Sequence, residues 1–192
     1  MDYLKNYLVK NNIDEENFKN DLDKLNLDNN YVSSLLLDLD NKKYKKNKVN
    51  LYHFLYWLKT NQYIKNNVEC FNSKDAFPQQ ILRIPLGRKN YIEFQRNRRV
   101  NFVAVYLNIQ DKDKEIFEYL YQFKEDLDEN FDFEILWDKR EGEKISKIGQ
   151  AFFIDVTDLD NWEETIKWQV DLAERLYIEF YPVLEDYYDS YK

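Results

Sequence analysis

Val100-Asn101-Phe102-Val103-Ala104-Val105-Tyr106-Leu107-Asn108-Ile109 alternates its apolar residues at a period of two. The chain then passes through Asp111 and Asp113 into Ile116, Leu120, Phe123 and Leu127, which share one helical stripe. The change of period predicts a strand that docks a helix, because each element has an apolar surface that only the other covers. The core is therefore expected around this stretch, and the remaining elements are read by how they attach to it.

Toward the N-terminus, Ile81 to Leu86 and Tyr91 to Phe94 read as strands, the first broken by Pro85-Leu86-Gly87 and the second turned into Val100 to Ile109 by Arg96-Asn97, an antiparallel meander. The helix is expected from Lys112 to Glu129. Beyond it, Phe131 to Trp137 and Ile145 to Val156 read as strands joined by the polar turn Asp138 to Glu143. A last helix is expected from Asp160, as its cap, to around Glu185, burying Trp162, Ile166, Val170, Ala173, Tyr177 and Phe180. The fold class is α+β: an antiparallel or mixed sheet of about five strands in the order helix, three strands, helix, two strands, helix, preceded by a small helical region.

That region carries Tyr3, Leu4, Tyr7 and Leu8, then Asp14 as a cap ahead of Phe18, Leu22 and Leu25, then Val32, Leu35, Leu36 and Leu39 from a start at Tyr31. A further helix holds Leu51, Phe54, Leu55 and Leu58 with Tyr52, Tyr56 and Trp57 around it, and is apolar enough to be buried on more than one side. The expected division is a helical region over 1–76 and an α+β domain over 77–192.

Aromatic residues make up 17% of the 192 residues while Gly and Pro number three each, which disfavours flexible linkers and tight-turn barrels. The wealth of Lys, Asn, Asp, Ile and Tyr fits an AT-rich coding sequence, so the run Lys42-Lys43-Tyr44-Lys45-Lys46-Asn47-Lys48 reads first as a solvated loop. One cysteine, Cys70, excludes an internal disulfide and a cysteine-based zinc site and suits a reducing cytosol. No long apolar run or secretion signal is present, so a soluble, cytoplasmic protein with no membrane partner is expected.

The net charge of -8 argues against a generic nucleic-acid coat, yet charge is segregated along the chain. Between Arg83 and Arg99 six cations face one acid, Glu93, and no arginine precedes Arg83. The guanidinium fork suits phosphate or carboxylate, so Arg88, Lys89, Arg96, Arg98 and Arg99 are the candidate contact residues, with Tyr91 and Phe94 as stacking surface if either faces outward. The competing reading pairs these cations with the protein's own acids, nine of which lie between Asp113 and Glu134 and eleven between Asp155 and Tyr191.

Motifs for chemistry are sparse. His53 lies among Leu51, Phe54, Leu55 and Trp57 and reads as a core or interface residue rather than a base. No phosphate loop, nucleophile elbow or zinc-protease helix motif is present. Asp132, Glu134 and Lys139 are the best trio for metal-dependent phosphodiester hydrolysis, but the acid-x-lysine spacing of restriction-type nucleases occurs only at Asp38-Leu39-Asp40-Asn41-Lys42, at a helix end. Asp111-Lys112-Asp113-Lys114-Glu115 lacks the glycine and terminal glutamate of a calcium loop and reads as N-capping. No catalytic residue, metal ligand or cofactor is expected.

Five stretches in order carry a resemblance: Val105 to Lys114 with its D-K-D-K helix start, Phe117 and Lys124, Phe133-Glu134-Ile135-Leu136-Trp137, Lys144-Ile145-Ser146-Lys147-Ile148, and Asn161-Trp162. Over roughly Pro78 to Tyr187 the chain resembles the prokaryotic domain of unknown function 4268 family. Members often form the C-terminal part of larger proteins whose N-terminal part resembles a restriction-type nuclease. The resemblance therefore implies a defence or DNA-processing setting, and it brings no catalytic residues to carry over. The order of strands and helices also resembles small secretion-chaperone-like folds, an analogy of fold alone.

The expectation is a non-enzymatic binding module that meets nucleic acid or an acidic protein partner through the basic hairpin. A dimeric protein-protein adaptor is the alternative, and a metal-dependent nuclease around Asp132 and Glu134 the second.

Overall fold

The computed structural model of the protein describes residues 3–41, 51–71 and 81–190. The chain divides into two compact units, Met1–Asn50 and Leu51–Lys192. The first contains α1 (Tyr3–Lys10), α2 (Glu15–Lys24) and α3 (Asn29–Asn41). Asp14 caps α2, its Oδ1 accepting from the Asn17 amide at 2.8 Å, and Asp28 accepts from the Tyr31 amide at 2.7 Å in the same way. Leu4, Leu8, Phe18, Leu22, Leu25, Leu27, Val32 and Leu36 are buried, which is how three short helices persist. The basic run Lys42 to Lys48 and the side chains of Asp38 and Asp40 lie outside the described residues.

The second unit is one antiparallel sheet with helices, as its periodicities predict. Its elements are α4 (Leu51–Asn67), β1 (Ile81–Gly87), β2 (Asn90–Asn97), β3 (Phe102–Gln110), α5 (Glu115–Tyr121), α6 (Lys124–Asp128), β4 (Leu136–Asp138), β5 (Ile145–Phe153) and α7 (Trp162–Ser190), the last preceded by a 3-10 turn at Leu159–Asn161. The strand order is β1-β2-β3-β5-β4. The division falls at Asn50/Leu51 and not near residue 77, because α4 belongs with the sheet unit. Its Tyr56 hydroxyl donates to Gln169 Oε1 of α7 at 2.7 Å, and its buried Tyr56 and Trp57 rings meet edge to face.

Strand alternation assigns the two faces. Ile92, Phe94 and Arg96 of β2 and Val103, Val105, Leu107 and Ile109 of β3 point to the helices and are buried. Phe152 of β5 meets Trp168 of α7 on that side, and Trp137 of β4 meets Phe117 of α5 and Phe180 of α7. The other face carries Arg83, Tyr91, Glu93, Gln95, Phe102, Tyr106, Lys147 and Phe153, which are paired across the strands.

Several boundaries move for local reasons. The helix expected from Lys112 breaks at Gln122-Phe123 into α5 and α6, and Asp111 serves its start by accepting from the Ile116 amide at 2.7 Å. The strand expected from Phe131 is reduced to Leu136–Asp138, since Phe131 and Ile135 are buried in an irregular segment. The last helix starts at Trp162, directly after the 3-10 turn that Asp158 caps by accepting from the Asp160 amide, and it continues through Pro182 to Ser190. Gly149 has no substitute on β5: a Cβ there would lie 2.1 Å from the Val105 carbonyl oxygen.

Candidate nucleic-acid interface

The five candidate cations do not form one patch. Arg88 and Lys89 occupy the β1–β2 turn, Arg98 and Arg99 the β2–β3 turn. These turns lie at opposite ends of the eight-residue β2, roughly 25 Å apart at the usual rise of a strand.

In the first turn Arg88 and Lys89 have φ of 44° and 75°, the left-handed pair of a two-residue hairpin, a conformation that long side chains adopt at a cost. The turn is held by α7. Asn90 donates to the Tyr188 hydroxyl at 2.7 Å and accepts from the Gln110 amide at 3.1 Å, and the Arg88 guanidinium lies over the Tyr188 ring, 4.1 Å from its centre. Arg88 is thus committed to its own chain through a cation–π contact, while Lys89 stands exposed.

Arg96 is corrected from a contact residue to a core residue. It shares a face with Ile92 and Phe94, and 1% of its surface is exposed. Its guanidinium sits between the rings of Tyr56, at 4.8 Å, and Trp162, at 4.9 Å. It donates to the Val156 carbonyl at 2.6 Å and to His53 Nδ1 at 3.3 Å, while its Nε has no hydrogen-bond partner among the described residues. No carboxylate pairs with it among the described residues. Burial pulls its pKa down to about 10, and burial together with the Arg96 and Arg98 charges pulls His53 down to about 4. His53 is therefore a neutral core histidine whose Nδ1 accepts. Tyr91 and Phe94, the proposed stacking rings, are both buried.

Arg98 and Arg99 are exposed, and neither forms an ion pair with a described residue. The Arg99 amide donates to Asn97 Oδ1 at 2.9 Å, which shapes the turn and leaves the guanidinium groups outward. Beside this turn lie two rings the sequence reading missed. Phe102 and Phe153 are direct partners on β3 and β5, 5.8 Å apart between centres and inclined by 59°. Phe153 is 71% exposed and Val100 57%. The signal was in the parity: Phe102 opens β3 on the side opposite Val103 and Val105. The nearby acids Asp155 and Asp158 are used within their own loop. Asp155 accepts from the Thr157 hydroxyl and amide, which hold its carboxyl below the usual range, and Asp158 accepts from the Asp160 amide.

The other sequence candidates separate. Asp132 pairs with Arg175 at 3.0 Å, whereas Lys139 pairs with Glu118 and Glu141, both at 2.6 Å. The supposed trio is therefore split between different partners, and no group of metal-binding side chains exists among the described residues. The D-K-D-K and K-x-S-x-I stretches do meet. Lys114, at φ 64° and 5% exposed, donates from Nζ to Ser146 Oγ at 3.1 Å, and that hydroxyl donates to the Lys139 carbonyl at 2.9 Å. These two motifs pin the start of α5 to β5. Cys70 is half-buried, and its thiol is pushed up by burial and by Glu174.

Among the described residues no helix is long and apolar enough to cross a membrane. No curated protein and no solved structure matches the chain significantly. A family model described as Domain of unknown function (DUF4268) matches residues 52–184, which begins one residue into the sheet unit and takes in every strand and most of α7. The chain belongs to that family.

Proposed function

We propose that the protein is a non-enzymatic binding module that contacts nucleic acid through the β2–β3 end of its sheet, in a nucleic-acid-processing or defence setting. The observation that carries this reading is the exposed pair Arg98 and Arg99, which forms no ion pair with a described residue, next to the exposed Phe153. Guanidinium groups with no carboxylate partner among the described residues keep their charge for phosphate, and the adjoining rings add affinity that does not depend on charge. Lys89 belongs to the far turn and contributes only to a ligand long enough to span β2.

The test is binding of labelled DNA and RNA to the full chain across a salt series, with an Arg98→Glu/Arg99→Glu double variant beside it. Affinity that falls steeply with salt and is lost in the variant supports the reading. No binding at low salt removes it. A second reading, a dimeric adaptor, is favoured by the exposed apolar residues Val100, Leu136 and Phe153. Apolar pairing strengthens with salt where phosphate binding weakens, so the same series separates the two.

A further inference from the structure

We infer that the strand recognised at the β2–β3 end is single-stranded nucleic acid, with bases stacked on Phe153 and Phe102 and phosphates held by Arg98 and Arg99. This rests on the nucleic-acid reading above and adds to it which form of the polymer the surface takes.

The geometry of the two rings carries the inference. They stand on neighbouring strands at directly paired positions, with centres 5.8 Å apart and planes inclined by 59°. Bases inside a duplex follow one another at about 3.4 Å with parallel faces. Two rings so far apart and so inclined can each take a base only when the bases are unstacked and turned from one another. A duplex keeps its base faces covered and would offer this surface only its phosphates, which use the arginines and leave Phe153 without purpose. A single strand offers both, and base–ring stacking is tolerant of sequence because every base has a π-face. Charge complementarity points the same way. The two arginines lie within the hairpin that leads into Phe102, and the acids that follow Phe153 are bonded within their own loop. Phe153 is 71% exposed, so its contact with Phe102 leaves most of the ring open to a ligand.

The experiment is fluorescence anisotropy with the full chain and four labelled probes of one sequence: a single-stranded DNA 20-mer, the matching RNA, and the DNA and RNA duplexes. Phe153→Ala, Phe153→Leu and Phe153→Trp are measured beside the wild type, each first checked for an unchanged thermal melt. The expected result is at least tenfold tighter binding of the single strands than of the duplexes. The Ala and Leu variants should lose about tenfold on single strands, and the Trp variant should retain affinity, all with the salt slope unchanged. Comparing the DNA and RNA arms reads whether the ribose matters. Duplex binding equal to single-strand binding, or wild-type affinity in Phe153→Leu, overturns the stacking inference while leaving the nucleic-acid reading in place. No binding of any probe at low salt overturns both.

Discussion

Glu93 and Arg96 lie on the same strand, point to opposite faces of the sheet, and are 3% and 1% exposed. Each is a charge taken almost wholly out of water, and the two are satisfied in opposite ways. Glu93 is met by charge and by amide: Arg83 Nη2 at 2.9 Å, Lys147 Nζ at 3.4 Å and Gln95 Nε2 at 2.5 Å. Arg96 has no acid among the described residues and is met by a carbonyl, an imidazole nitrogen and two aromatic faces. The cations around Glu93 reach solvent, the Arg83 side chain being 55% exposed, so their own desolvation is modest. On the helix side an acid would itself have to be buried among Tyr56, Trp162 and Phe94. The weakly hydrated guanidinium tolerates π faces and dipoles in its place. The comparison teaches that one side of this sheet is stabilised by ion pairs that feel salt, and the other by a cation that does not, provided that His53 stays neutral.

Three changes break or sharpen that contrast. The largest is Arg96→Ala, which empties the space between Tyr56 and Trp162 and strips the acceptors of a donor. It should cost about 4 kcal/mol in urea unfolding. Arg96→Met restores volume without the fork and should still cost about 2 kcal/mol, with a midpoint insensitive to salt; wild-type stability in Arg96→Met would show the cation to be incidental. The second change is acid. The folded pKa of His53, about 4, lies below its ordinary 6.5, so the unfolded chain takes up the proton first. Stability linked to this group is complete above pH 6.5 and is lost as pH falls toward 4, by roughly 3 kcal/mol in all. A His53→Gln variant should flatten the profile between pH 7 and 5; an equal loss in that variant would assign the effect to carboxylates. The smallest is Glu93→Gln, expected to cost about 1 kcal/mol in low salt and less in 1 M NaCl, since its cations are partly solvated. A cost that does not change with salt would put Glu93 in the same class as Arg96.

The fold was legible where one period held for long enough. Val103, Val105, Leu107 and Ile109 announce β3, the Trp162 to Phe180 series announces α7, and the meander follows from its turns. The short β4 was over-read because Phe131 and Ile135 are buried without belonging to a strand. The candidate cations were legible in composition, but their positions were not. Arg96 looks like Arg98 and Arg99 when charges are counted, and only the parity shared with Ile92 and Phe94 marks it as internal. That Arg88 would be taken up by Tyr188, a hundred positions along the chain, depends on where α7 ends, which no local pattern states. The pairing of Phe102 with Phe153 needed the β3–β5 register, which is set across the intervening α5, α6 and β4.

Pro182 interrupts the amide ladder of α7, since it brings no N–H to the Ile178 carbonyl. The turns beyond it contain no basic residue to meet the negative end of the helix, and Glu185, Asp186 and Asp189 load that end with like charge. What holds them is lateral: Tyr188 to Asn90, Asp186 to the Tyr119 hydroxyl at 2.5 Å, and Tyr187 to Glu115 at 3.5 Å. In hydrogen exchange the helix should therefore behave as two cooperative segments. Amides after Pro182 should open at a free energy well below that of the stretch from Ile166 to Leu176. Because Tyr188 also clamps the β1–β2 turn, that turn should exchange together with the end of the helix and not with the centre of its own sheet.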